Sequence, residues 1–118
     1  MPRLLRPALL DIIVSIDRIR EATAGKTLSE YSSDWILKHA VERGIEIISE
    51  ATRRLSREIG PQHPEIPWKQ IGAIGNILRH EYDNVVDRVI FEVVQSDLAP
   101  LRELIATIEV GMDEPREE

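Results

Sequence analysis

One short segment of this 118-residue chain gathers an imidazole, a guanidinium and a phenol within four residues. It reads Arg79-His80-Glu81-Tyr82 and closes a stretch whose apolar residues recur at helical spacing. A histidine exchanges protons near neutral pH, and an arginine binds phosphate through charge-assisted hydrogen bonds. This segment is therefore the first candidate for a chemical site.

Helical geometry divides the segment between two neighbouring stripes, because each residue of a helix advances by about 100°. Asn76 and His80 are four residues apart on one stripe, so the amide can hydrogen-bond the imidazole and fix its tautomer. Arg79 lies on the adjoining stripe, with Gly75 one turn before it and Tyr82 one turn after it.

The chemistry that fits these groups is cleavage of an RNA phosphodiester. The attacking 2′-hydroxyl needs a proton acceptor and the departing oxygen needs a donor, and an imidazole serves as either. The neighbouring guanidinium would bind the phosphate and stabilise charge in the transition state, and neither a metal nor another cofactor is required. A histidine and a tyrosine at a helix end also serve packing or capping, so the residues alone leave both interpretations open.

The composition predicts one globular domain over residues 1–118, with an acidic tail at 111–118 that we expect to fray. The chain has no cysteine, which excludes disulfides, thiolate zinc sites and cysteine nucleophiles and favours a cytoplasmic protein. No apolar run approaches the ~20 residues that span a bilayer. The net charge is −6, so any RNA contact requires a local basic patch on an acidic body.

Apolar periodicity predicts an all-α, up-down bundle of four or five helices with short connections. A capping box at Thr27 and Glu30 predicts one further helical turn, and Gly25 is expected to end the first helix. The predicted helices cover about Leu4–Ala22 and Asp34–Ile59, begin again at Pro67, and then hold Val85–Val94 and Leu101–Ile108, with Asn84, Asp87 and Asp97 as turn or cap residues.

The second long helix is apolar over more of its circumference than a monomer needs, which predicts a homodimer. Gly44 within it indicates close approach by another helix, from this chain or from a second subunit. The same helix carries Arg43, Arg53, Arg54 and Arg57, which form either an RNA-binding side or a solvated one.

The remaining candidates have ordinary structural interpretations. We expect His39 to be partly exposed, His63 to lie in a turn and Trp68 to anchor the core. The carboxylates Glu42, Glu46 and Glu50 lack the Glu-X-X-His companions of a di-metal bundle.

The chain resembles the HepT-like proteins of the HEPN clan over nearly its whole length. The long helix from Ala40 to Ala51 and the Pro64-Glu65-Ile66-Pro67-Trp68 loop are typical of them. The segment from Asn76 to Tyr82 looks like the family's Arg-Asn-X-Leu-X-His-X-Tyr sequence.

This resemblance implies the toxin half of a type VII-like toxin–antitoxin system, a homodimeric, metal-independent ribonuclease whose paired motifs lie in a cleft between subunits. His80 would be its general acid and base, and Asn76 its orienting group. The resemblance also implies a partner, an MNT-type nucleotidyltransferase antitoxin, which silences the toxin by transferring AMP to the motif tyrosine, here Tyr82. The added charge and bulk would repel and block RNA.

One departure from the family pattern concerns the phosphate-binding arginine. Gly75 stands at its position, and a glycine has no side chain that could bind phosphate. Arg79, one turn further along the same stripe, is the expected substitute. The alternative is a catalytically weak or inactive helical partner, or a nucleotide-binding module, of a nucleotidyltransferase.

Overall fold

The computed structural model describes the backbone of residues 2–73 and 84–112, and the side chains of residues 5–73 and 87–108. Within these ranges the chain is helical, with short connections and no β-strand, which confirms the all-α prediction. The elements are α1 (Pro2–Thr23), α2 (Leu28–Ser33), α3 (Trp35–Ile59), a 3₁₀ turn (Gly60–Gln62), α4 (described over 68–73), α5 (Asn84–Ser96) and α6 (Leu98–Met112). In the described ranges the α-helices correspond to the five predicted segments and to the predicted capped turn after Gly25, which forms the short helix α2.

The first two connections form where the sequence indicated. Gly25 has a φ of +74°, in the left-handed region that favours glycine, directly after α1. The Thr27 hydroxyl accepts from the Glu30 amide at 3.1 Å, and the Glu30 carboxylate accepts from the Thr27 amide at 2.9 Å, so the capping box is confirmed. Asp34 then caps α3 by accepting from the Leu37 amide at 3.0 Å.

The core lies between α1 and the two helices that pack along it, α3 and α6, while α2 packs on α5. Each fully buried aliphatic side chain contributes roughly 1.5–3 kcal/mol to this packing. The largest of these buried aliphatic side chains are Leu9, Ile12 and Ile16 of α1, Val41, Ile45 and Leu55 of α3, Ile90 of α5, and Leu98 and Ile105 of α6.

Gly44 confirms the predicted close approach and identifies the neighbouring helix. A Cβ atom added there would lie 2.7 Å from Cδ1 of Ile19, below the shortest contact that real Cβ atoms show. The neighbour is therefore α1 of the same chain, and no second subunit is needed to explain the glycine.

The exposed surface includes two large apolar side chains at the start of α3. Trp35 is 70% exposed and Ile36 is 73% exposed, so part of the broad apolar face predicted for this helix lies outside the core. The homodimer inferred from that face stays a prediction. No helix in the described part of the chain combines the length and apolar character needed to cross a membrane.

Candidate active site

The motif residues Gly75, Asn76, Arg79, His80 and Tyr82 lie outside the described residues, which stop at 73 and resume at 84. Their predicted roles therefore remain predictions. The structure does describe the chain before and after this segment, including side-chain contacts of both flanking regions.

On the upstream side, the proline loop positions the start of α4. Ile66 is buried in the core at 2% exposure, and its amide donates to the His63 carbonyl at 3.2 Å. The Trp68 indole N–H donates to the same carbonyl at 2.9 Å, and its half-buried ring packs against the core. Trp68 is thus the anchor that the sequence predicted. Pro67 lies just before the helix, and its carbonyl accepts from the Ile71 amide at 3.1 Å. The helix therefore begins at 68, one residue after the predicted start at Pro67.

A serine of α3 ties the same segment to the long helix. The hydroxyl of Ser49, which is 2% exposed, donates to the Gly72 carbonyl at 2.9 Å. The same oxygen accepts from Nη1 of Arg53 at 3.1 Å. Cγ of Arg53 also lies 3.6 Å from the position of a Cβ on Gly72, so the arginine stem runs across the glycine. Ser49 therefore fixes both the guanidinium and the backbone three residues before Gly75.

These contacts form one wall of a concavity of about 770 Å³, which we name the basic pocket. Its cationic members Arg53 and Arg57 come from α3, and Lys69 comes from α4. All three side chains are exposed, and no carboxylate among the described residues lies within ion-pairing distance of them. The remaining lining residues are Ser56, Trp68, Gly72 and Ala73.

On the downstream side, a buried carboxylate fixes the start of α5. Asp87 is 5% exposed, accepts from the Ser32 hydroxyl at 2.6 Å and pairs with the Lys38 ammonium at 3.0 Å. The sequence marked Asp87 as a turn or cap residue, whereas its side chain joins α5 to α2 and α3. Asp97 does lie at the predicted junction, where its carbonyl accepts from the Leu101 amide at 3.1 Å and Pro100 occupies the first turn of α6.

The other two histidines have the structural surroundings that the sequence predicted. His39 is exposed, its ring stacks on Trp35 at a centroid distance of 4.3 Å, and its Nδ1 contacts the Trp35 carbonyl at 2.8 Å. His63 lies in the loop with its Nδ1 3.3 Å from the Glu65 carboxylate. The pKa of Glu65 is lowered by its own backbone amide and then by His63.

The arginines of α3 have different surroundings among the described residues. Glu46 pairs with Arg43 at 3.3 Å on the solvent side, whereas Arg53 and Arg57 face the basic pocket. Over the described ranges, no cluster of His, Cys, Asp or Glu has the arrangement of a metal site.

The described elements form a small all-α bundle, and in the sequence the histidine–tyrosine segment falls between the long helix α3 and helix α5. The sequence profile described as "Ribonuclease HepT-like" matches residues 12–108, and the chain belongs to this family.

Several relatives match over most of their own length. The chain is 32% identical to the "Probable ribonuclease HepT" of Thermococcus cleftensis, over 86% of this chain and 93% of that protein. It is 31% identical to a protein of Caldanaerobacter subterraneus named as a candidate RNase, over 87% and 92% of the two chains. A candidate RNase of Methanocaldococcus jannaschii is 27% identical over 85% and 92%. No solved structure matches the chain significantly.

Proposed function

We propose that this chain is a metal-independent ribonuclease, the toxin of a type VII-like toxin–antitoxin system, acting as a cytoplasmic homodimer of one domain, residues 1–118. The observation that carries the proposal is the family match over residues 12–108, because that range includes the histidine–tyrosine segment. The named ribonuclease relatives support it, as does the basic pocket lined by Gly72 and Ala73, which precede the segment in the sequence.

The proposed reaction is attack of an RNA 2′-hydroxyl on the adjacent phosphorus. The His80 imidazole accepts the hydroxyl proton as the new P–O bond forms. An imidazolium returns a proton to the 5′ oxygen as the old P–O bond breaks, so the products are a 2′,3′-cyclic phosphate and a 5′-hydroxyl. Arg79 binds the scissile phosphate, and Asn76 orients the imidazole.

The experiment for the arginine roles compares RNA cleavage by the wild type, Arg79→Ala and Gly75→Arg. Loss of a guanidinium that stabilises transition-state charge is expected to slow cleavage by about 10²–10³-fold in Arg79→Ala. Adding Gly75→Arg to that variant is expected to restore part of the rate. Equal rates in the wild type and Arg79→Ala would contradict the substitute role of Arg79.

The proposed regulation is transfer of AMP from ATP to Tyr82 by an MNT-type nucleotidyltransferase. The chain has two tyrosines, and Tyr31 is fully buried, so it provides an internal control. With antitoxin and ATP labelled at the α-phosphate, the wild type and Tyr31→Phe should take up label and lose cleavage. Tyr82→Phe should remain unlabelled and active, and labelling of Tyr82→Phe would refute this site.

The second candidate function is a catalytically weak or inactive helical partner, or a nucleotide-binding module, of the nucleotidyltransferase. Gly75 and the net charge of −6 favour it, since both weaken phosphate binding. Expression without the antitoxin separates the two, because a ribonuclease toxin arrests growth and an inactive partner does not. A large gain of cleavage in Gly75→Arg alone would also indicate the second function.

A further inference from the structure

We propose that the basic pocket binds the RNA backbone beside the motif, with Arg53 as its principal phosphate-binding residue and Arg57 and Lys69 as flanking contacts. This inference rests on the proposed ribonuclease function and names part of its substrate-binding surface. Three observations support it. The guanidinium of Arg53 is fixed, no described carboxylate neutralises the cations of the pocket, and two pocket residues lie just before the motif in the sequence.

Arg53 is held in position before any ligand binds. Its Nη1 donates to the Ser49 hydroxyl at 3.1 Å, and that hydroxyl is itself buried and fixed by the Gly72 carbonyl at 2.9 Å. A guanidinium has five N–H donors, so most of them stay available for phosphate oxygens. Because the side chain is already ordered, binding loses less conformational entropy than it would with a free surface arginine.

The charges of the basic pocket favour an anion. Arg53 and Arg57 are one turn apart on α3, and Lys69 of α4 lines the same concavity, so like charges repel across it. Within the described part of the chain, no carboxylate is close enough to neutralise them. A bound phosphate would reduce this repulsion. An RNA backbone carries several phosphates, so it can contact several of these cations although the net charge of the chain is −6.

The pocket also includes residues that directly precede the motif in the sequence. Gly72 and Ala73 line it, and Gly75 follows three residues after Gly72 in the sequence. Arg53 therefore brings a guanidinium from α3 to Gly72, three residues before the position where the family's own arginine is replaced by glycine.

The test measures binding of a fluorescent single-stranded RNA whose 2′-oxygens are all methylated, which removes the nucleophile and prevents cleavage. The full-length wild type is compared with Arg53→Gln, Arg57→Gln and Lys69→Gln. Arg54→Gln is the matched control, since it removes the same charge from the adjacent, exposed residue outside the pocket.

We expect Arg53→Gln to raise Kd about tenfold at low salt and Arg54→Gln to change it less than about twofold. Each lost phosphate contact should reduce the slope of log K against log salt by about 0.7. Equal Kd and slope in Arg53→Gln and Arg54→Gln, or no RNA binding by the wild type at low salt, would overturn the proposal.

Ser49 positions the Arg53 guanidinium. Its variants distinguish loss of that position from loss of protein stability. Ser49→Ala should weaken RNA binding less than Arg53→Gln does, and Ser49→Thr, which keeps the hydroxyl, should restore it. Thermal melts of each variant identify any loss that comes from unfolding. Ser49→Ala that stays folded and binds RNA with the wild-type Kd would contradict the positioning role.

Cleavage assays on ordinary RNA distinguish failure of this inference from failure of the nuclease assignment. If cleavage requires His80 but Arg53→Gln keeps the wild-type KM, the pocket does not bind substrate and the nuclease assignment stands. If the pocket variants lose RNA binding while the wild type and His80→Ala are equally inactive, the pocket stands and the nuclease assignment fails.

Discussion

The phenol of Tyr31 is buried between α2 and α5, where its ring lies 5.4 Å from that of Phe91. Its hydroxyl has no hydrogen-bond partner in the described structure. Burial raises the pKa of Tyr31. The negative charges of Glu42 and Asp87 raise it further, because they repel the phenolate form. This hydroxyl therefore costs stability without forming a compensating bond.

We predict that Tyr31→Phe stabilises the fold by about 1 kcal/mol, because it removes a buried, unpaired hydroxyl and keeps the ring. The folded-state pKa of Tyr31 lies above the unfolded value of about 10. The neutral phenol therefore leaves the free energy of unfolding unchanged below that pH, and the wild type loses stability as the pH rises above it. Tyr31→Phe should lack this alkaline loss. Urea unfolding at neutral and alkaline pH measures both effects, and a destabilised variant at neutral pH would show that the hydroxyl has a partner.

At the scale of the helices, the α1–α3 crossing depends on Gly44. Alanine there would gain about 0.5–1 kcal/mol of helix propensity but would place a methyl group 2.7 Å from Cδ1 of buried Ile19. Overpacking of this kind costs about 1–3 kcal/mol, so the clash should dominate.

The prediction is that Gly44→Ala destabilises the protein by about 1 kcal/mol, measured by urea unfolding. In an Ile19→Val background, which lacks Cδ1 but keeps Cγ1 at 3.1 Å from the added Cβ, the same substitution should cost less. Equal effects of Gly44→Ala in the two backgrounds would show that Ile19 does not limit the crossing.

The contact between α1 and α6 includes a bidentate ion pair. Nε of Arg102 donates to Oδ1 of Asp17 at 2.6 Å, and Nη2 donates to Oδ2 at 2.9 Å. Hydrogen bonding from Arg102 is the main cause of the lowered pKa of Asp17, and the charge of Arg102 lowers it further.

We predict that this pair contributes stability above pH ~4, near the unfolded pKa of aspartate, and loses it as the pH falls through the lower folded value. Asp17 is 48% exposed, so solvent screening limits the effect to about 0.5 kcal/mol. Asp17→Asn should be less stable than the wild type by that amount at neutral pH, and the difference should shrink as the pH falls below ~4. A difference in unfolding free energy that is the same at neutral and acidic pH would assign the effect to packing.

For the molecule as a whole, local patterns predicted the elements well. The first helix, the glycine after it, the capping box and the long helix all follow from spacing and backbone chemistry that act within a few residues, and each is confirmed. The Ser49–Gly72 bond could not be predicted in this way, because it joins residues 23 positions apart and a serine within a helix has no periodic signal. The ion pair of Asp87 with Lys38 was missed for the same reason.

The candidate segment was chosen from residue types and stays a prediction, and the described structure before it adds the basic pocket. The sequence named Arg53 and Arg57 but could not distinguish a solvated side from a binding one. That distinction requires Lys69 of α4 on the same concavity and the absence, among the described side chains, of a neutralising carboxylate.

The proposed cleft between subunits predicts a dimer in solution. Sedimentation equilibrium should give twice the chain mass of 13.5 kDa at working concentrations. A mass of one chain at every concentration that supports RNA cleavage would contradict a site built from two copies.

The measurement that tests the central claim most directly is cleavage of RNA by the wild type and His80→Ala in the presence of EDTA, with analysis of the product ends. We predict that the wild type leaves 2′,3′-cyclic phosphate and 5′-hydroxyl ends, and that His80→Ala is slower by about 10²–10⁴-fold, because the proton acceptor is lost. Equal cleavage by the two proteins, or wild-type activity that disappears with EDTA, would contradict a metal-independent ribonuclease centred on His80.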